Sequence, residues 1–124
     1  AWPCWLEAAL RAPHGPEPPP PPGLLRSVYR ALCCGAGAGA ELSAGEPAEG
    51  FRADLVLRRG GSATAVEVDG PQRFYRASRE ALGICRLKHR ALEQLFGRVV
   101  RIGFWEWPAQ EEAQLELLRA RGIA

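Results

Sequence analysis

The sequence contains very little of several residue types, and each scarcity narrows what the protein can be. Among its 124 residues there is no methionine, one lysine (Lys88) and two aspartates (Asp54 and Asp69). No apolar run approaches the roughly 20 residues of a membrane-spanning helix, so we expect no membrane partner. Because an initiator methionine is missing, we expect a C-terminal piece of a longer protein, and a missing targeting segment then carries no information.

Cysteine is also sparse, with four residues, two of which are adjacent (Cys33 and Cys34). Adjacent cysteines do not have the C-x-x-C spacing of zinc ligands. A small scaffold held together by disulfides would be denser in cysteine. We therefore expect reduced cysteines with a structural role.

Proline and glycine divide the chain into parts of unlike composition. Residues 13–23 read PHGPEPPPPPG, which is typical of an extended linker without a core of its own. Residues 1–12 have apolar side chains at helical spacing, and we interpret them as the remnant of an upstream helical region. The domain then spans residues 24–124, with its core over 51–121 and a flexible stretch of small residues over 35–50.

Within this domain, the hydrophobic patterns predict helices and strands in the order α-β-β-α-β-α. The predicted helices are 24–34, about 78–96 and 109–121. The predicted strands are 53–58 and 63–68, which flank an Arg-Gly-Gly-Ser turn, and 98–102. This order indicates an α/β (α+β) fold in which helices flank a small mixed sheet.

The predicted hairpin brings three carboxylates to one place. With the turn centred between Gly60 and Gly61, Asp54 lies opposite Glu67, and Asp69 leaves the sheet on the same side as Glu67. Such carboxylates repel one another unless a divalent cation, arginines or a raised pKa compensates. Two hypotheses stay open at this point: a Mg²⁺ site for phosphodiester hydrolysis, or acids that pair with arginines and fix the fold.

Positive charge is concentrated in one stretch of the chain. The formal net charge is only +2, but residues 73–101 contain eight basic residues and two acidic ones. Guanidinium groups bind phosphate and stack on bases, and aromatic rings stack on unpaired bases. On a helix, Arg79, Arg86 and Arg90 would share one face. The predicted nucleic-acid-binding residues are Arg73, Arg76, Arg79, Arg86, Lys88, Arg90, Phe74 and Tyr75. The alternative is an ordinary solvated helix face.

Three segments in order, EVDGPQRFYR (67–76), LKHRALEQL (87–95) and RVVRIGFWEW (98–107), resemble the RAP domain. The resemblance covers roughly 51–121. It implies an RNA-binding domain, found in FAST-kinase-like and algal helical-repeat proteins of organelles, that usually follows helical repeats. It therefore implies a mitochondrial protein, with the chloroplast as the alternative, whose partner is organellar mRNA or rRNA.

The resemblance also implies a restriction-endonuclease-like fold, similar to that of the very-short-patch repair nucleases. By that similarity Asp54, Glu67 and Asp69 fall on the acidic positions of a nuclease core. The sequence departs from the family pattern E-x-D-G-P-x-H-F, because Arg73 stands where the family usually has histidine. A guanidinium neither ligates metal nor shuttles protons at neutral pH. We therefore expect Arg73 to act as a counter-ion of the acids or to bind a phosphate.

Three functional hypotheses follow from these observations. The first is a non-catalytic RNA-binding module of an organellar RNA-processing or ribosome-associated protein. The second is a metal-dependent endoribonuclease with Asp54, Glu67 and Asp69 as Mg²⁺ ligands and Lys88 activating water or stabilising charge. The third is a structural component of an organellar ribosome or other ribonucleoprotein. It would dock on ribosomal or other proteins through Trp105 and Trp107 or through the proline-rich linker.

Overall fold

The elements of the fold are taken from a computed structural model that describes residues 16–76 and 78–124. The predicted helical remnant at 1–12 lies outside the described residues. Within them, the helices are α1 (Pro22–Gly35), α2 (Gly83–Leu95) and α3 (Glu111–Ala120). The strands are β1 (Glu41–Ala48), β2 (Phe51–Arg59), β3 (Ser62–Asp69) and β4 (Arg98–Gly103), and a 3-10 turn covers Pro71–Arg73.

The four strands form one mixed sheet in the order β1-β2-β3-β4. Strand β2 pairs antiparallel with both β1 and β3, whereas β3 and β4 are parallel. Parallel neighbours need a crossover connection, and here that connection contains α2. The predicted mixed α/β class is confirmed.

The β2–β3 hairpin has the register that its turn predicts. Leu55 pairs with Val66 and Arg59 pairs with Ser62, so that the turn is centred between Gly60 and Gly61. Both glycines have positive φ, at 56° and 81°. A two-residue hairpin turn of this kind requires positive φ at both positions, which glycine adopts without steric cost.

Strand β1 is the main difference from the predicted architecture. It lies inside the 35–50 stretch that we expected to be flexible, and it pairs with β2 from Glu41↔Arg58 to Ala48↔Phe51. A proline such as Pro47 is tolerated because β1 is an edge strand. Both terminal nitrogens of Arg58 donate to the Glu46 carboxylate across the pair, at 2.8 and 2.7 Å. Pairing with β2 therefore overrides the low strand propensity of this segment.

Helices cover both faces of the sheet. On one face Leu55, Val66 and Ile102 belong to a core shared with α1 and α3. On the other face Val56 and Ala65 pack with residues of α2 and its C-terminal cap, Leu92 and Phe96. Among the described residues, no helix combines the length and the apolar character that crossing a bilayer would require.

Candidate functional site

The three predicted carboxylates lie together on the α2 face of the sheet, because side chains alternate between faces along a strand. Backbone pairing of β2 with β3 ends at Leu55↔Val66. Beyond it, Glu67 Oε2 accepts a hydrogen bond from the backbone N–H of Asp54 at 2.9 Å. Asp54 Oδ2 accepts one from the backbone N–H of Val68 at 2.8 Å. These two side chains take the place of backbone hydrogen bonds between β2 and β3, and the hydrogen bonds fix the orientation of both carboxylates.

Arg73 occupies the space among the three carboxylates. Its Nη1 lies 2.5 Å from Asp54 Oδ2, 3.1 Å from Asp69 Oδ1 and 3.5 Å from Glu67 Oε1. Its Nη2 donates to Asp54 Oδ1 at 2.8 Å, so the pair with Asp54 is bidentate. The 3-10 turn that follows β3 returns Arg73 over the sheet, where it is only 1% exposed. Arg73 is therefore a buried counter-ion of the three acids.

Lys88 of α2 is a second buried cation of this cluster. Its Nζ lies 2.7 Å from Glu67 Oε1 and 3.6 Å from Asp54 Oδ1. Lys88 points inward because it shares the buried face of α2 with Cys85 and Leu92 at helical spacing. Lys88 is only 2% exposed, which leaves little of its side chain for the RNA contact predicted from the sequence.

Arg101 of β4 is the third cation and closes the outer side of the cluster. Its Nε donates to Asp69 Oδ2 at 2.7 Å, and its side chain is 32% exposed. The parallel register places Arg101 beside Glu67 and Asp69 beside Gly103. The β3–β4 pairing thus brings a cation from far along the chain to the acids of the hairpin.

Residues 17–21, here named the covering segment, lie over this cluster. Glu17 is 2% exposed, and its Oε1 lies 2.9 Å from Lys88 Nζ. The Pro18 carbonyl oxygen accepts a hydrogen bond from Arg73 Nε at 2.9 Å. The ring of Pro21 contacts Gly70 so closely that a Cβ at Gly70 would lie 2.4 Å from it. The predicted linker 13–23 is therefore packed against the domain over these residues, and from Pro22 it is part of α1.

The charges of the cluster balance when one carboxyl is protonated. Four acids (Glu17, Asp54, Glu67 and Asp69) face three bases, which leaves one negative charge if all are ionised. Burial, followed by the charge of Asp54, raises the pKa of Glu67 to about 8, although Lys88 and Arg73 act to lower it. Burial thus favours the protonated form of Glu67, and one proton on this carboxyl would make the cluster neutral.

Both buried bases remain protonated. Burial lowers the pKa of Arg73, but Asp54, Glu67 and Asp69 together raise it above its ordinary value. Burial likewise acts to lower the pKa of Lys88, and the Asp54 and Glu67 charges more than offset this, so that the pKa is raised. The carboxylates thus hold two fixed positive charges inside the protein.

The cluster does not fit a magnesium ion. Mg²⁺ demands octahedral oxygen coordination and usually keeps several waters, whereas the carboxylates here converge on a guanidinium nitrogen. The adjoining cavity, lined by Cys85 and His89 among others, measures about 10 Å³. That is about the smallest cavity able to hold one water. Across 16–76 and 78–124, no three or more His, Cys, Asp or Glu residues are arranged to hold a metal. The predicted site at Asp54, Glu67 and Asp69 is thus not formed, and of the two hypotheses the structure has the arginine-paired acids.

The remaining predicted RNA-binding residues divide between core and surface. Phe74 is only 7% exposed and belongs to the interior, which leaves little of its ring for the predicted stacking on bases. Arg76, Arg79, Arg86 and Arg90 are exposed, as is Tyr75. The surface charge of 73–101 is therefore smaller than its sequence suggests, because Arg73, Lys88 and Arg101 are engaged with acids.

Arg79 does not share a helix face with Arg86 and Arg90, because α2 begins at Gly83 rather than near 78. Phe74 forms an isolated β-bridge with Ala81, and the Tyr75 N–H donates to the Glu80 carbonyl. These contacts hold the preceding residues in a loop. Arg86 and Arg90 do lie one turn apart on the exposed face of α2.

The sequence interpretation singled out Trp105 and Trp107 after β4, but it did not foresee that Trp105 forms an aromatic group with Phe104 and Phe74. Phe104 and Trp105 are each 40% exposed, and their ring centres lie 5.4 Å apart in an edge-on arrangement. The ring of Phe74 lies edge-on to Trp105 at 5.2 Å. The Arg79 guanidinium carbon lies 4.8 Å from the Trp105 ring centre. In the sequence, only the W-E-W motif (residues 105–107) pointed to this aromatic group. The motif could not reveal that Arg79 lies over the Trp105 ring.

Trp107 and the covering segment bear on the hypothesis of a structural docking role. Trp107 is half-buried, and its Nε1 donates to Ser27 Oγ of α1 at 2.8 Å. The covering segment is packed against the protein's own charged cluster. Of the docking elements considered, Trp105 is the one whose ring is left substantially exposed within the described residues.

Comparison with known proteins identifies the class of domain. Residues 66–121, somewhat less than half of the chain, match the family model of the RAP domain. It runs from β3 through α3 and contains Arg73, Lys88, the exposed arginines of α2 and Trp105. A search of curated proteins finds no match. A RAP domain suggests RNA binding in general.

Proposed function

We propose that this domain is a non-catalytic RNA-binding module that captures RNA through Arg76, Arg79, Arg86 and Arg90. On the family resemblance we assign it to an organellar RNA-processing or ribosome-associated protein, mitochondrial rather than chloroplast. Upstream helical repeats would choose the RNA sequence, because phosphate contacts carry no sequence information of their own.

One observation carries this proposal: the cations are divided into a buried, neutralised set and an exposed set. Among the described residues, no carboxylate lies within ion-pair distance of Arg76, Arg86 or Arg90. Exposed arginines bind phosphates through their planar donors, and each contact releases counter-ions from the RNA. The exposed set is therefore the part of the domain suited to RNA.

The buried set supports a non-catalytic role. Hydrolysis would need a reacting phosphate within reach of Asp54, Glu67 and Lys88, which are all at least 97% buried. The covering segment lies above them, and the adjoining cavity of about 10 Å³ is far too small for a nucleotide.

The test compares two variants that each remove two positive charges. Arg86→Ala with Arg90→Ala alters the exposed face of α2. Arg30→Ala with Arg119→Ala alters exposed arginines of α1 and α3, which cover the opposite face of the sheet. The probe is a 20-nucleotide single-stranded RNA, with affinity measured by fluorescence anisotropy from 50 to 300 mM salt.

For the α2 variant, we expect weaker binding and a salt slope smaller by about 1.4, at about 0.7 per phosphate contact on single strands. The α1/α3 variant should retain the wild-type slope. Equal losses in the two variants would show that α2 is not the RNA-binding face. A wild-type domain that binds no RNA would refute the proposal as a whole.

A further inference from the structure

We infer that Trp105 is a stacking site for one unpaired RNA base and that Arg79, which now lies over its ring, then pairs with the phosphate of the stacked nucleotide. This inference rests on the proposed RNA-binding function and names the part of the RNA that the domain recognises. Three observations lead to it: the fixed position of the ring, its exposure and the cation beside it.

The Trp105 ring is held in place before any ligand arrives. A Cβ at Gly103 would lie 2.6–2.7 Å from three atoms of the ring, so the indole rests against the Gly103 backbone. The Glu106 carboxylate accepts the Gly103 N–H at 2.8 Å, and the Glu106 N–H donates to the Gly103 carbonyl at 3.1 Å. These bonds close the turn that carries Trp105, so that ordering the ring costs little on binding.

The turn is also tied to the sheet. The Phe104 N–H donates to the Asp69 carbonyl at 2.8 Å, and the Phe74 ring supports Trp105 edge-on from within the protein. The loop that holds Arg79 is connected to the same place through the Phe74–Ala81 bridge. Trp105 and Arg79 are therefore carried by segments that contact each other through Phe74.

The exposed part of the ring is suited to a flat ligand. Trp105 is 40% exposed although its ring is large and apolar, and the planar Arg79 guanidinium lies 4.8 Å from its centre. A guanidinium over an indole is held by cation–π attraction, which is modest at an exposed site. A nucleobase can replace it, because base–aromatic stacking is stronger and depends little on which base is present. The displaced Arg79, on a long exposed side chain, can reach the neighbouring phosphate.

The ligand is consequently an unpaired nucleotide rather than a duplex. Bases in an RNA helix are stacked on one another and present only their edges, whereas those of loops and single strands can turn out onto a protein ring. Phosphate contacts by Arg86 and Arg90 would not distinguish these two forms to the same degree. We therefore expect Trp105 to make the domain bind single-stranded RNA more tightly than duplex RNA.

The experiment replaces Trp105 with leucine, which keeps an apolar side chain and removes the aromatic face. The probes are a 20-nucleotide single-stranded RNA and the duplex of the same sequence. We expect Trp105→Leu to weaken single-strand binding by about 5- to 150-fold, the range for loss of one stacked base. Duplex binding should change less than twofold. Leu87→Ala, which removes an exposed apolar side chain from α2, should leave both affinities unchanged.

A second variant gives an independent reading if Trp105→Leu is unstable. Trp105→Phe keeps a smaller stacking surface and should retain most of the single-strand affinity. Indole fluorescence quenching on single-stranded RNA should be present in the wild type and reduced in Trp105→Phe. If Trp105→Leu binds single strands as the wild type does, or loses duplex binding equally, the inference is wrong. That result would leave the salt-dependent role of Arg86 and Arg90 standing, whereas a wild type that binds no RNA would remove the proposed function itself.

Discussion

Replacement of Arg73 by alanine tests whether this side chain is the structural counter-ion of the acidic cluster. The change removes the bidentate pair with Asp54, the contacts of Nη1 with Glu67 and Asp69, and the donation from Nε to the Pro18 carbonyl. Four carboxyl groups would then face only Lys88 and Arg101. Because the cluster is buried, water cannot solvate the charge that is left.

The magnitude follows from the cost of leaving a buried charge without its partner, which is about 3–5 kcal/mol. Domains of this size have a total stability of about 5–15 kcal/mol. A loss of 1 kcal/mol lowers the melting temperature of a domain near 100 residues by about 4 °C or more. We therefore expect Arg73→Ala to lower the melting temperature by at least about 12 °C at pH 7.

The assay is thermal and urea unfolding followed by circular dichroism. Arg86→Ala is the matched control, because it removes the same charge from an exposed position and should change stability by less than about 0.5 kcal/mol. If Arg73→Ala does not fold, the double variant Arg73→Ala with Asp54→Asn should recover part of the loss, since it removes one of the charges left without a partner. An Arg73→Ala variant within 1 kcal/mol of the wild type would refute the reasoning.

Two further predictions concern the same cluster. Since the pKa of Glu67 is raised from its usual 4.5 to about 8, the folded state holds a proton that the unfolded state has lost. Stability should therefore fall as pH rises from about 4.5 to about 8, by up to about 1.4 kcal/mol per pH unit. Urea unfolding at pH 5, 6.5 and 8 gives the dependence of the unfolding free energy on pH. Glu67→Gln should abolish this part of the dependence, and an equal dependence in the variant and the wild type would contradict the prediction. Glu17→Ala removes a partner of Lys88, and Gly70→Ala forces a methyl group into the Pro21 ring, so each should cost about 1–3 kcal/mol. Because both act on the covering segment, their costs should be less than additive, and full additivity would show that the segment does not dock as one unit.

The hairpin shows what short-range reasoning can predict. The Gly60-Gly61 turn sets the register of β2 against β3, and the alternation of side chains then places Asp54, Glu67 and Asp69 on one face. All of this depends on contacts between residues close in sequence. The convergence of the three acids was therefore predictable before any tertiary contact was known.

Strand β1 and the start of α2 show where such reasoning fails. Residues of β1 have small side chains, a glycine and a proline, and only the edge of β2 makes them a strand. Arg79 continues the helical spacing of α2, but the bridge between Phe74 and Ala81 keeps it in a loop. In both cases a pairing with another segment decides the local structure, and composition does not report that pairing.

The sequence by itself determined the mixed α/β class, the hairpin that gathers the acids and the segment that resembles a RAP domain, because these depend on local periodicity, turn chemistry and contiguous motifs. Only the tertiary structure decided which charges are used inside the protein and which remain on its surface. Arg73 and Lys88 look like the exposed arginines when read along the chain. They differ because Glu17 contacts Lys88 and Pro18 contacts Arg73 where α2 packs on the sheet, and such burial depends on segments that lie far away in sequence.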